Sequence, residues 1–224
     1  MAVAPPFNLK QWIDQNRHLL KPPVGNQQIY KGNQDYIVMV VGGPNARKDF
    51  HYNESEELFL QIEGDIVVKI EQEGKVVDVP IREGEMFLLP PKVPHSPQRK
   101  AGTVGLVIER NRRAGEIDGM MWFCENCHHK LYEEYFNLTD IVKQLAPIMQ
   151  KFYASEQLRT CQKCGTVMQP PAPAVWPYYK ITALQRSETC RAVGLGIIFC
   201  LMTLGGGSVA ETLKSLPNAF AVSW

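Results

Sequence analysis

Between Tyr36 and Glu109 the apolar residues gather into short runs, "YIVMVV", "ELFLQI", "DIVVKI", "KVVDV", "MFLL" and "TVGLVIE", rich in β-branched and aromatic side chains. Glu63-Gly64 and Gly74 stand between runs, where tight hairpin turns belong. Many short strands at close spacing predict an all-β antiparallel sandwich or barrel, not alternating βαβ units. Ahead of them, Asn8 with Gln11 three residues on reads as a capping box, and Phe7 is placed to staple onto Trp12. A short helix is therefore predicted, with Leu9, Trp12, Ile13 and Leu20 as its apolar face and Pro22-Pro23 as its stop. After Arg113 the pattern changes. "MMWFCENCHHKLYEEYF" is strand-like around a metal knuckle, and Leu138, Ile141, Val142, Leu145, Ile148, Met149 and Phe152 then recur at helical spacing. That stripe predicts a helix packed on the barrel, with Pro147 as a place for a kink.

From Pro170, "PPAPAVWPYY" reads as a proline-rich linker. The expected organisation is a barrel with its N-terminal helix over 1–113, a cysteine-containing subregion with a helix over 114–169, and a linker and poorly ordered tail over 170–224. The tail holds 19 uncharged residues from Ala192 to Ala210, interrupted by glycines. A spanning helix needs roughly 20 strongly apolar residues, so a loose extension is expected and no membrane anchor. Cys190 and Cys200 have no motif around them and receive no role.

Composition adds bounds. At 224 residues the chain has room for one main core with additions, and its 45% hydrophobic and 21% charged residues are those of a globular protein. Lys plus Arg (24) nearly balances Asp plus Glu (23), so no global field draws the chain to nucleic acid or an anionic membrane. The N-terminal "MAVAPPFNLKQWIDQ" has neither the basic nor the apolar region of a secretory signal, which predicts a cytoplasmic, reducing setting. Six cysteines in that setting are free thiols or metal ligands, and four of them pair as CxxC.

The candidate chemistry lies in two stretches. In "GPNARKDFHYNESEELFLQIEG", His51 and Glu57 bracket a loop running into a strand, and in "GEMFLLPPKVPHSPQR", His95 follows a strand and a Pro-rich turn. Two imidazoles and one carboxylate make the facial triad of non-haem iron(II) oxygenases, which leaves positions open for substrate and O2. The two stretches resemble the paired motifs of the cupin superfamily, whose fold is a jelly-roll barrel. Asp49 stands where the first motif commonly has another histidine, which removes one ligand and fits the subset using two His and one Glu. Lys92 and Arg99 stand where the second motif commonly has glycine and asparagine, and Arg99 is thereby a clue to substrate.

Longer matches narrow the resemblance. "PFNLKQWID", "LLKPPVGN", "VVGGPNARKDFH", "EGEMFLLPPKVPHSPQR" and "GLVIERNR", with both CxxC pairs, resemble the 3-hydroxyanthranilate 3,4-dioxygenases over about residues 5 to 168. The resemblance implies an iron(II) enzyme that opens the ring of 3-hydroxyanthranilate with O2 on the way to quinolinate and NAD. By the same resemblance His51, Glu57 and His95 are the iron ligands, Arg47, Arg99 and Glu109 contact substrate, and the protein is a homodimer. The chemistry agrees: arginine pairs bidentately with a carboxylate, and Glu109 can accept a proton as the substrate chelates. Asp49 is expected either to hold an arginine or a ligand histidine, or to face solvent.

Cys124, Cys127, Cys161 and Cys164 form two knuckles that suit one tetrahedral ion. Zinc and iron both accept four thiolates; microbial members of the resembling family carry iron of the rubredoxin kind. His128 and His129 adjoin the first knuckle but are not expected as ligands. Two other readings stay open on the residues alone. Another cupin oxygenase, acting on a catechol or thiol, would be favoured by Arg47 or Arg99 lying far from the metal, and a non-catalytic cupin module would carry an inert one.

Overall fold

The computed structural model describes residues 5–21, 25–32, 35–139 and 141–171, apart from the side chains of 46 and 141–143. The helix stop at Pro22-Pro23, the side chains of Ile141 and Val142, and the tail beyond 171 with Cys190 and Cys200 lie outside the described residues.

The strands are β1 (Asn26–Gln28), β2 (Tyr36–Gly42), β3 (Asn45–Ala46), β4 (Asp49–Tyr52), β5 (Glu57–Glu63), β6 (Ile66–Gln72), β7 (Lys75–Ile81), β8 (Met86–Leu89), β9 (His95–Arg99), β10 (Val104–Arg110), β11 (Asp118–Phe123) and β12 (Lys130–Phe136). The helices are α1 (Leu9–Asn16), α2 (Ile141–Ala154) and α3 (Glu156–Arg159). One antiparallel sheet runs β1-β2-β10-β5-β8 and the other β12-β11-β4-β9-β6-β7, with β3 beside β9. This is the antiparallel barrel predicted from the strand pattern, in the jelly-roll form that the cupin resemblance implies. Met39, Phe59, Leu89 and Val107 of the first sheet meet Ile66, Val68 and Ile81 of the second in the shared core. Pro80 is accommodated because β7 is an edge strand, where a missing N–H breaks no ladder.

The six apolar runs all became strands, while β4 and β9 were not predicted. Their inward positions are Asp49, His51, His95 and Arg99, so the alternation that marks a half-buried strand is missing from them. The knuckle segment resolves into β11 and β12, an antiparallel pair with the first CxxC at its turn.

At the N-terminus, Asn8 caps α1 by accepting from the Gln11 N–H at 2.9 Å. Ile13 and Leu20 pack with Val40 and Val104, flanked by Leu9 and Trp12, which is the predicted face. Phe7 lies against Tyr30, ring centroids 6.2 Å apart. Helix α2 begins three residues later than the periodic stripe and contains Pro147, whose ring is exposed. Ile148, Met149, Phe152 and Tyr153 bury against Met120, Trp122 and Met168. The Trp122 ring stacks on Phe152 at 4.3 Å between centroids and donates from Nε1 to the Tyr153 hydroxyl at 3.3 Å. Because Trp122 is fully buried between β11 and α2, Trp122→Ala should lower stability by about 3–5 kcal/mol, read as a fall in the urea midpoint.

Candidate metal centre and active site

The register of the barrel assembles the site. His51 on β4 lies opposite His95 on β9, and Glu57 on β5 lies opposite Glu109 on β10. Side chains alternate between faces, so Glu57, Phe59 and Gln61 of β5 and Gly105, Val107 and Glu109 of β10 all point inward. One donor atom each from His51, Glu57 and His95 lies within 4.8 Å of the others, and all three residues are buried. Glu57 Oε2 and His95 Nε2 are 3.0 Å apart. Two donors each about 2.1 Å from one ion, at right angles, would be separated by about 3.0 Å, so the pair fits adjacent octahedral positions. His95 Nδ1 lies 3.0 Å from the Val93 carbonyl, to which its proton can be donated, leaving the Nε2 lone pair for a metal.

Charge is distributed unevenly around these donors. Burial works to raise Glu57, but the adjacent His95 outweighs it and holds the carboxyl below its ordinary range. Burial, followed by the charge of Glu57, pushes Glu109 above its ordinary range, with Arg112 only partly offsetting them. Arg47 is paired with Asp49, whose Oδ2 accepts from Nε at 3.0 Å and also from Nη2. Asp49 therefore holds an arginine, one of the roles expected of it, and its fully buried Oδ1 has no hydrogen-bond partner. Arg99 is 5% exposed, and no carboxylate among the described residues lies within ion-pair distance of it. Burial lowers its guanidinium to about 10, with Glu57 opposing the shift.

The four cysteines converge as the two knuckles suggested. Cys124 Sγ is 3.6 Å from Cys164 Sγ, and Cys127 Sγ is 3.5 Å from Cys161 Sγ. These are free thiols at contact distance, close to the roughly 3.8 Å edge of a sulfur tetrahedron around an ion with bonds of about 2.3 Å. Both loops share one backbone pattern: the first cysteine's N–H bonds the carbonyl five residues on, and its carbonyl accepts from the N–H four residues on. That fourth residue is left-handed in each, His128 at φ 56° and Gly165 at φ 73°. His128 thus adopts a backbone conformation that glycine takes more easily, as Gly165 does in the second loop. The Thr166 hydroxyl and N–H pull the Cys164 thiol down to about 5, favouring a thiolate.

The sequence profile of 3-hydroxyanthranilic acid dioxygenase matches residues 1–153. The chain belongs to that family. A 3-hydroxyanthranilate 3,4-dioxygenase of Xanthomonas euvesicatoria pv. vesicatoria (strain 85-10) is 56% identical over 171 residues, covering 76% of this chain and 95% of the relative. One of Jannaschia sp. (strain CCS1) is 52% identical over 175 residues, covering 76% and 97%. Among solved structures, a cupin-2 domain protein of Shewanella frigidimarina NCIMB 400 aligns over 44% of this chain and 92% of its own, at 20% identity and a TM-score of 0.37.

Around these three donors the structure places residues that no sequence motif signalled. Asp118 Oδ2 lies 2.6 Å from His51 Nε2. Arg112 clamps the same carboxylate, Nε to Oδ1 and Nη2 to Oδ2, both at 2.7 Å, and turns Nη1 to Glu109 Oε2 at 2.6 Å. Asn53 Nδ2 donates to Glu109 at 3.1 Å and reaches Glu57 at 3.4 Å. A carboxylate accepting from one ring nitrogen fixes the tautomer and leaves the other nitrogen free for a metal. Asp118→Asn should weaken iron(II) binding about 10–100-fold in an anaerobic metal titration, with far-ultraviolet dichroism unchanged; an unaltered affinity would show the carboxylate to be idle.

Proposed function

We propose that His51, Glu57 and His95 hold the iron(II) of a dioxygenase that opens the ring of 3-hydroxyanthranilate with O2 to 2-amino-3-carboxymuconate semialdehyde, the precursor of quinolinate and so of NAD. The observation that carries this reading is a buried three-donor cluster sharing its barrel with Arg99, a buried guanidinium without a carboxylate partner among the described residues. Two neutral nitrogens and one carboxylate suit iron(II) and leave half an octahedron open. Iron bound there would take the vicinal hydroxyl and amino groups and relay electrons from the ring to O2.

The protein's own groups do the rest. Arg99 receives the substrate carboxylate, which supplies the counter-charge its buried site lacks. Glu109, held above its ordinary range by burial, is kept partly ionised by Arg112 and is placed to take the hydroxyl proton as the substrate binds, which neutralises its own carboxylate. Arg47, oriented by Asp49, presents its remaining N–H groups at the rim of the same chamber. Phe59, Val107 and Met39 wall the barrel interior with apolar surface and keep water from the reacting ring.

At the four cysteines we read a second ion, iron or zinc, with every position filled by protein and hence a structural role. Free thiols there agree with a cytoplasmic setting, and no helix among the described residues is long and apolar enough to cross a membrane. A homodimer is our reading of the assembly, supported by the outer face of the first sheet. There Leu58 and Leu60 lie beside the exposed Met86 and Leu88 of the edge strand β8.

Anaerobic loading with iron(II) and 3-hydroxyanthranilate, followed by air, should give stoichiometric O2 uptake and the absorbance of the semialdehyde. Fully iron-loaded protein that consumes no O2 would overturn the assignment. His95→Ala should lose the barrel iron and activity by at least about a thousandfold, whereas Cys161→Ser should release only the second ion on metal analysis. Leu88→Glu should shift the light-scattering mass from two chains to one.

A further inference from the structure

Gln61 is 1% exposed and sits on β5 two pleats from Glu57, directly opposite Gly105 of β10. Its Nε2 donates to the Glu63 carbonyl at 2.8 Å and the Val104 carbonyl at 3.1 Å, which uses both N–H groups. The amide oxygen must therefore face the other way, and there it accepts from Arg99 Nη1 at 3.2 Å. The flipped amide would press oxygen against two carbonyls and N–H against a guanidinium, so only one orientation is satisfied. Gly105 completes the arrangement. A Cβ there would come within 2.7 Å of Gln61 Oε1 and 2.9 Å of Arg99 Nη1, so the bare backbone is what lets the pair lie against β10.

We propose that Gln61 is a positioning residue that fixes the direction of Arg99 without cancelling its charge, and so makes the site selective for a ring that carries a carboxylate. The proposal rests on the reading of Arg99 given above. A glutamate at this place would pair with the guanidinium from within and remove the reason for a buried anion to enter. An apolar residue would leave the guanidinium free to turn. A neutral acceptor locked by two backbone carbonyls aims the fork while one N–H is engaged and the other four stay available. Selectivity then follows from what a competitor lacks: a ring without a carboxylate leaves the buried cation unpaired.

The test compares 3-hydroxyanthranilate with 2-aminophenol, which keeps the chelating pair and lacks the carboxylate. Their dissociation constants are measured anaerobically, by calorimetry, on the iron(II)-loaded full chain and on Gln61→Met. The expected result is an approximately tenfold weaker binding of 3-hydroxyanthranilate, unchanged binding of 2-aminophenol and an unchanged iron content. Should Gln61→Met not fold, Gly105→Ala disturbs the pair from the opposite strand and is expected to give the same split. Equal weakening of both ligands, or no weakening of either, would overturn the proposal. Because binding is read without turnover, a wild-type chain that binds but never cleaves the ring counts against the assigned reaction and not against Gln61.

Discussion

Two carboxylates face each other across hydrogen-bonded strands in the interior of this barrel, and the rest of the site is built around that juxtaposition. Glu57 and Glu109 are direct cross-strand neighbours, both nearly inaccessible to water. Left alone, like charges so placed would repel and one would neutralise. The structure separates their fates. Glu57 faces His95 and is held ionised, ready as a ligand; Glu109 is pushed toward its protonated form and tempered by Arg112. Asn53 lies between them as a neutral donor to both. The two carboxyls are thus driven in opposite directions because their surroundings differ, not their chemistry.

The same need for counter-charge explains the chain of contacts that runs outward. Arg112 answers Glu109 and then Asp118, and Asp118 in turn orients His51, so Glu109 and the carboxylate that holds His51 share one guanidinium. Arg99 is the exception among these buried ions, since it donates to an amide and has no carboxylate within ion-pair distance among the described residues. An unpaired buried cation is destabilising for the empty protein and attractive to an anionic ligand. The fold keeps it because the barrel supplies enough apolar burial elsewhere, in the core around Phe59 and Val68.

How much of this was legible in the sequence divides along a physical line. Apolar runs rich in β-branched and aromatic residues announce themselves, and "ELFLQI" and "TVGLVIE" appear as β5 and β10 within a residue of expectation even though Glu57, Gln61 and Glu109 point inward. Strands β4, "DFHY", and β9, "HSPQR", do not, because polar and charged residues leave them no apolar run. The donors themselves were legible through motif spacing, and His51, Glu57 and His95 do converge. Asp118, Asn53 and Gln61 were not, since each is defined by pairing across strands far apart in sequence; Arg112 lies only three residues from Glu109 and six from Asp118, and its place is set by the turn that brings those two carboxylates together.

Strand β11 joins the two metal-binding regions into one construction. It begins at Asp118, which touches His51, and Cys124 follows directly after its last residue. Between these ends Met120 and Trp122 share the face that carries His51 and Asp49 and pack against α2. Tyr153 of α2 receives the Trp122 N–H and feels the charge of Asp49, while Lys48 bridges to Glu125 inside the first knuckle at 2.9 Å. A strand buried on both faces cannot shift at one end without disturbing the other, because close-packed interiors transmit displacement through side chains that have no free volume. The four cysteines therefore lie at one end of a wall whose other end sets Asp118 against His51, and the packing of β11 on α2 makes the position of each end depend on the other.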